Sequence, residues 1–329
     1  MPIKYDILGI GSPILDAVIE VSNSELTHIL KDTEVGGMVA VTDEEQETII
    51  SNAASPVSYS IGGSANNTVS AIARLGLKAA LLGKIGADKN GEFFVEKSEE
   101  ISLITDMLKV DNDKKSTACC LCLISPNGER TMRTHLGAAQ NISISDINFD
   151  ELKNYRHIHF EAYVLFNKDY AIKIAEFAKE NSITMSLDLS SFEVVRALNA
   201  FLPEFLREYI DIVFANEDET KEIGDIENIK KSCTITVLMK GKDGAHIFYD
   251  YGKGEHVQKA HKEKRIVDKI GAGDHFAGGF LYGYLMGYSP EEASEIGTLL
   301  ATYCIENKGA HIPCDIWEEI LTKVKKIDG

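Results

Sequence analysis

The sequence predicts an α/β protein in which a largely parallel central sheet is flanked by helices and a small antiparallel β-sheet lies over one edge. Apolar runs of strand length alternate with amphipathic helical patterns through most of the 329 residues, as expected for parallel strands joined by crossover helices. Two sequence-distant stretches break that rhythm with strand-like patterns of their own. No internal repeat or low-complexity linker is visible.

Residues 5–11 form a short apolar run closed by glycine and read as the first strand. Residues 64–75 carry apolar side chains at helical spacing and end at Gly76, a helix stop. Apolar runs follow at 157–162, 184–189, 211–216 and 234–241, with helical patterns such as 169–180 between some of them. The stretches 17–21 with 37–41, and 117–125 with 130–135, read as antiparallel strands, the second pair joined by the turn Pro126-Asn127-Gly128. These insertions are expected to meet as a small sheet beside a substrate cleft. The division that follows is a large nucleotide- and substrate-binding domain (1–14, 62–114 and 139–329) and a small β lid (15–61 and 115–138).

Apolar residues make up 44% and charged residues 26% of the chain, a globular composition with material for a substantial core. A net charge of −17 with no Lys/Arg cluster argues against nucleic acid and anionic membranes as partners. Phosphates can still be held by helix N-termini, backbone amides and a divalent cation. The N-terminus shows no basic, apolar leader and no apolar stretch is long enough to span a bilayer, so a cytoplasmic location is expected. In Cys119-Cys120-Leu121-Cys122, strand alternation puts Cys119 on the face opposite Cys120 and Cys122, so the cysteines read as reduced structural thiols.

The sharpest chemical signal is Asp268-Lys269-Ile270-Gly271-Ala272-Gly273-Asp274, followed by a helical pattern rich in small residues. Gly271, Ala272 and Gly273 would let N–H groups at a helix start approach an anion, where the helix dipole adds positive charge. Asp274, in the first turn, is the candidate base for an attacking hydroxyl. The bland alternative is an aspartate that complements the dipole beside tightly packed glycines. A second glycine pair, Gly62-Gly63, opens the helix that carries Asn66, and Asn66 together with Asp16 could grip vicinal hydroxyls. A flexible turn and an N-cap are the alternatives there. After the strand at 211–216, Asn216 and Glu219 stand one helical turn apart and suit phosphate and hydrated Mg²⁺, with a plain N-cap as the alternative. Lys240 and Gly241, at another strand end, could lie along a nucleotide. The segment Gly9-Ile10-Gly11-Ser12-Pro13-Ile14 lacks the third glycine of a dinucleotide fingerprint and no P-loop occurs, which counts against oxidoreductases and P-loop enzymes.

Together these motifs resemble the ribokinase-like, or PfkB-type, carbohydrate kinases, whose two signatures match the Gly62-Gly63 region and residues 268–274. The resemblance implies a ribokinase-like fold, ATP and Mg²⁺ as cofactors, a monovalent cation such as K⁺ as a further candidate, Asp274 as catalytic base and residues 271–273 as anion hole. It also implies that Asn216 and Glu219 are the family's Asn-x-x-Glu pair, with Glu219 reaching the metal through water. Asp268 and Asn307, the latter in Glu306-Asn307-Lys308-Gly309-Ala310, fall on the nucleotide side. Lys269-Ile270 depart from the family's Thr-Thr or Thr-Asn. Gly11-Ser12-Pro13-Ile14-Leu15-Asp16 and the stretch 186–192 are most similar to the adenosine kinases of that family, so a nucleoside 5′-hydroxyl is the expected acceptor. A ribokinase- or fructokinase-type sugar is the runner-up, and a non-catalytic nucleoside- or sugar-binding regulator the rival from another class. Arg130 resembles a lid arginine that closes onto phosphates, with a solvated turn arginine as the alternative. Tyr163 and Phe192 follow predicted strand ends and could flank a purine or simply fill core. A monomer or a lid-mediated homodimer is expected.

Overall fold

The computed structural model describes residues 3–30, 37–126, 130–224 and 226–327. Its strands are β1 Tyr5–Ile10, β2 Ile14–Glu20, β3 Met38–Ala40, β4 Ser58–Gly62, β5 Ala79–Ile85, β6 Leu108–Val110, β7 Ala118–Ile124, β8 Arg130–His135, β9 Tyr155–Glu161, β10 Thr184–Asp188, β11 Ile212–Asn216, β12 Ile235–Met239, β13 Ala245–Tyr249 and β14 Gly254–Gln258. The large sheet has nine strands in the order β14-β13-β12-β11-β10-β9-β1-β5-β6. From β12 to β6 neighbours run parallel, whereas β13 and β14 add antiparallel at one edge.

Both faces of this sheet are buried, which is why its strands read as unbroken apolar runs. Successive residues of β1 enter different cores. Ile7 packs with Val69 and Ile72 of helix Ser64–Arg74 and with Phe276 and Phe280 of helix Ala272–Met286. Leu8 faces a core with Ile174 of helix Lys168–Glu180 and Phe205 of helix Leu202–Tyr209. Among the polar exceptions, a group on β9 and β10 is linked by hydrogen bonds. In register across β9 and β10, His157 bonds Thr184 and Ser186, and His159 bonds the same Ser186, all at 2.7–2.8 Å.

The second sheet has five strands in the order β3-β8-β7-β2-β4 and is mixed rather than purely antiparallel. The β7–β8 hairpin is antiparallel, although its turn residues Asn127 and Gly128 lie outside the described residues. The expected partners β2 and β3 do not touch. β2 runs parallel to β7 and antiparallel to β4, while β3 lies parallel to β8 on the far edge. Helix Asn23–Leu30 separates β2 from β3, so no tight turn makes them neighbours. Alternation sorts the faces as expected. Leu15, Ala17, Ile19, Cys119, Leu121 and Leu123 enter the core, whereas Asp16, Val18, Cys120 and Cys122 line a cavity. Gln46 of helix Asp43–Asn52 is buried and donates Nε2 to the carbonyls of Cys119 at 3.0 Å and Arg133 at 2.8 Å, which ties that helix to the sheet. Among the described residues no helix is long and apolar enough to cross a membrane.

Candidate active site

Because the central strands are parallel, the segments that leave their C-terminal ends lie along one edge, and the chemical side chains gather there. Helix Ala272–Met286 begins at Gly271, whose φ of 76° and ideal Cβ position 2.4 Å from Ala310 Cβ leave room only for glycine. Asp274 sits in its first turn. Its Oδ1 accepts a hydrogen bond from Ser64 Oγ and its Oδ2 one from Asn67 Nδ2, both at 2.8 Å. Burial pushes its pKa up to about 6, against these two hydrogen bonds, which favour the charged form. The result is a carboxylate of near-neutral basicity with both oxygens oriented.

Those two donors escaped the sequence reading, which chose Asn66. Gly63, with φ 102°, starts helix Ser64–Arg74 without a side-chain cap and directs its first turn toward Asp274. Adjacent positions on a helix point about 100° apart, and Asn67 is the one that faces Asp274. Asn66 is 1% exposed, lines the cavity, has no partner for Nδ2 and receives Ser70 Oγ on Oδ1 at 3.4 Å. Two adjacent amides in the sequence were the only signal, and packing distinguishes them.

Asp16 lies on the cleft face of β2. Gly62, on the neighbouring strand, makes room for it, since a Cβ there would fall 2.4 Å from Asp16 Oδ2. Burial pushes the Asp16 pKa up to about 6, the Asp274 charge adds to this, and Arg130 opposes it. Arg130 is not a solvated turn residue. It crosses from β8 to form an ion pair with Asp268, whose carboxylate also accepts the N–H of Gly309 at 2.6 Å and of Ile270 at 3.1 Å.

Asn216 and Glu219 form a reciprocal capping box at helix Glu217–Ile223. Asn216 Oδ1 accepts the Glu219 N–H at 2.9 Å, and Glu219 accepts from Asn216 N at 2.8 Å and Nδ2 at 2.7 Å. Glu219 is buried and its pKa is pushed up to about 7. The pKa of Asp188, at the end of β10, is also pushed well above the usual carboxylate range, by burial and by the charges of Glu219 and Asp274. No Lys or Arg pairs with these three carboxylates among the described residues. Among the described residues no group of three or more His, Cys, Asp or Glu side chains could hold a metal ion directly, so these carboxylates would meet a hydrated divalent cation only through water.

The remaining candidates lie further out. Lys240 and Gly241 form the tight turn between β12 and β13, closed by Lys240 N to Gly244 O at 2.8 Å. Asn307 follows the Glu306 C-cap of helix Pro290–Ile305 and donates Nδ2 to the last-turn carbonyl of Tyr303 at 2.8 Å. Tyr163 and Phe192 are 42% and 38% exposed, and neither lines the cavity. That cavity, about 540 Å³, runs between the small sheet and helix Ser64–Arg74. Asp16, Asn66, Asn67, Phe93, Cys120 and Arg130 are among its walls. Asn67, the hydrogen-bond partner of Asp274, and His275, its chain neighbour, both line it.

Comparison with known proteins fits this geometry. The pfkB family carbohydrate kinase profile matches residues 35–317. An adenosine kinase of Schizosaccharomyces pombe is 26% identical over 94% of this chain and 97% of its own length. The solved structure of an adenosine kinase from Sinorhizobium meliloti superposes with a TM-score of 0.83 at 28% identity, covering 98% of this chain and 99% of that one. A probable sugar kinase from Rhizobium etli gives a TM-score of 0.84 at 27% identity, covering 99% and 100%. With the fold, the glycine-started helix and the seated aspartate in place, the chain belongs to the PfkB family of carbohydrate kinases, phosphotransferases that use an alcohol group as acceptor.

Proposed function

We propose that this kinase transfers the γ-phosphoryl group of ATP to the 5′-hydroxyl of a nucleoside, with adenosine the preferred acceptor. The observation that carries the choice of a nucleoside is the cavity beside Asp16. Its volume of about 540 Å³ lies in the range of drug-sized ligand sites and exceeds the needs of a monosaccharide. Within it the buried, unpartnered Asn66 Nδ2 offers a donor to a ring nitrogen or oxygen. A free sugar is the second reading, favoured by the exposure of Tyr163 and Phe192 outside that cavity.

In this reading Asp16 holds the sugar hydroxyls in the room left by Gly62 and Gly63, and Asp274 accepts the proton of the attacking hydroxyl. The N–H groups at 271–273 face the transferred phosphoryl group. Asn216, Lys240, Gly241, Asp268 and Asn307 lie on the nucleotide side, and Arg130 turns from Asp268 to the phosphates when ATP is bound. Glu219 holds Mg²⁺ through water, and the ion, when bound, neutralises charge on the phosphates. The small sheet, residues 15–61 and 115–138, acts as a lid. Its face away from the cavity is already packed against residues of helices Asn23–Leu30 and Asp43–Asn52, which supports a monomer. Dependence on ATP and six free cysteines support a cytoplasmic setting.

The test is kcat/KM for adenosine, inosine, ribose and fructose at fixed MgATP, with and without K⁺. Adenosine should lead. A free sugar that outperformed every nucleoside would overturn the specificity and leave the kinase assignment in place.

A further inference from the structure

Glu161 ends β9 with 1% exposure and has no part in the chemistry described so far. Its two carboxylate oxygens serve two different chain segments. Oε1 accepts the backbone N–H of Ser12 at 2.8 Å, and Oε2 accepts the backbone N–H of Ala65 at 3.0 Å. Ser12 belongs to the connection between β1 and β2, and β2 carries Asp16. Ala65 lies in the first turn of the helix whose Ser64 and Asn67 hold Asp274.

The three segments interlock without spare room. A Cβ on Gly11 would fall 2.4 Å from Glu161 Oε2 and 2.7 Å from Ala65 Cβ, and one on Gly63 would fall 2.3 Å from the carbonyl oxygen of Ser12. At the same time a carboxylate is well placed at a helix N-terminus that has no side-chain cap, because the dipole and the free N–H groups there favour negative charge. One buried side chain therefore sets how the segment leading to Asp16 stands relative to the helix that orients Asp274.

We propose that Glu161 is a positioning residue that registers the acceptor grip at Asp16 against the base at Asp274. The proposal rests on the assignment of Asp16 to the acceptor. Phosphoryl transfer depends mainly on alignment, and a displacement of about 1 Å can cost on the order of 10²-fold in rate. Glu161 acts on that alignment through the two backbone N–H groups its oxygens hold.

The deciding variant is Glu161→Gln, which keeps the shape and one accepting oxygen but turns an NH₂ group toward one of the two backbone donors. With the best acceptor of the panel, kcat/KM for the acceptor should fall about 10- to 100-fold. KM for MgATP should stay within about twofold, and the protein should still melt cooperatively. Acceptor kcat/KM near wild type, or a KM for MgATP raised as much as the KM for the acceptor, would overturn the proposal. Should Glu161→Gln fail to fold, Glu161→Asp keeps the charge and withdraws both oxygens by one methylene, and the same split is expected. Asp16→Ala is measured in parallel. If it leaves acceptor affinity intact, the acceptor reading fails and the positioning role falls with it. If it weakens acceptor binding while the Glu161 variants do not, only the positioning role fails.

Discussion

Replacing Gly273 by alanine separates two reasons for a glycine at the second residue of helix Ala272–Met286. An ideal Cβ at this position meets only Met239, Cε at 3.5 Å and Sδ at 3.7 Å, which are ordinary contacts. Packing therefore does not demand glycine there. Within a helix, alanine is favoured over glycine by about 1 kcal/mol, so Gly273→Ala should melt at or slightly above the wild-type temperature. Activity should move the other way. A methyl group at the mouth of the helix would hold the phosphoryl group away from the N–H donors, and loss of one such donor costs about 10²–10³-fold in kcat. Gly271→Ala is the contrasting control. Its φ of 76° and the 2.4 Å approach to Ala310 Cβ predict a loss of stability from strain and overlap, with lost activity as a consequence. Melting curves and MgATP turnover at saturating acceptor decide the matter. If Gly273→Ala kept near wild-type turnover, the anion-hole assignment would fail. If it were destabilised as strongly as Gly271→Ala, glycine would be there for packing after all.

Asp274→Asn should fold and lose about 10²–10⁴-fold in turnover with little change in acceptor affinity, and near-normal turnover would remove Asp274 as the base. A carboxylate that acts as base must be ionised, and burial raises the Asp274 pKa to about 6, so under the proposed role kcat should fall tenfold per unit below about pH 6 and level off above it. Asn67→Ala deletes a hydrogen bond that lowers that pKa, so the acid limb should move to higher pH; a shift to lower pH would contradict the geometry. Asp16→Ala should weaken the acceptor far more than MgATP, by about 1.5–3 kcal/mol, and isothermal titration with both ligands would expose equal losses as a folding defect. Asp16 and Asp274 at about 6, with Glu161 and Glu219 at about 7, all lie above unfolded carboxyl values, so the folded chain holds extra protons from about pH 4 to 7. Their contribution to stability is present at low pH and is lost as pH rises through that window. Mg²⁺ should therefore raise the melting temperature more at pH 8 than at pH 5, and equal shifts would argue against its binding to these carboxylates.

Local patterns determined much of this protein. The apolar runs of the parallel strands, the helix opened by Gly271-Ala272-Gly273 and the opposed faces of Cys119 and Cys120 follow from periodicity and from the backbone freedom of glycine, both carried by neighbouring residues. Asp274 and Asp16 stood out as candidates because each stands within such a pattern. What surrounds them was not. Ser64 and Asn67 reach Asp274 across more than 200 positions, and Glu161 meets Ser12 across 149. No spacing rule connects residues so far apart. The same holds for the placement of β3 beside β8, for the ion pair of Arg130 with Asp268 and for the crowding of Asp188 against Glu219. Burial and like charge raise carboxyl pKa values only once the parallel strands have carried these groups to one edge. A chain pattern sets which element forms and which side chains share a face, but hydrogen-bond partners and desolvation depend on distances through space, and those exist only after packing.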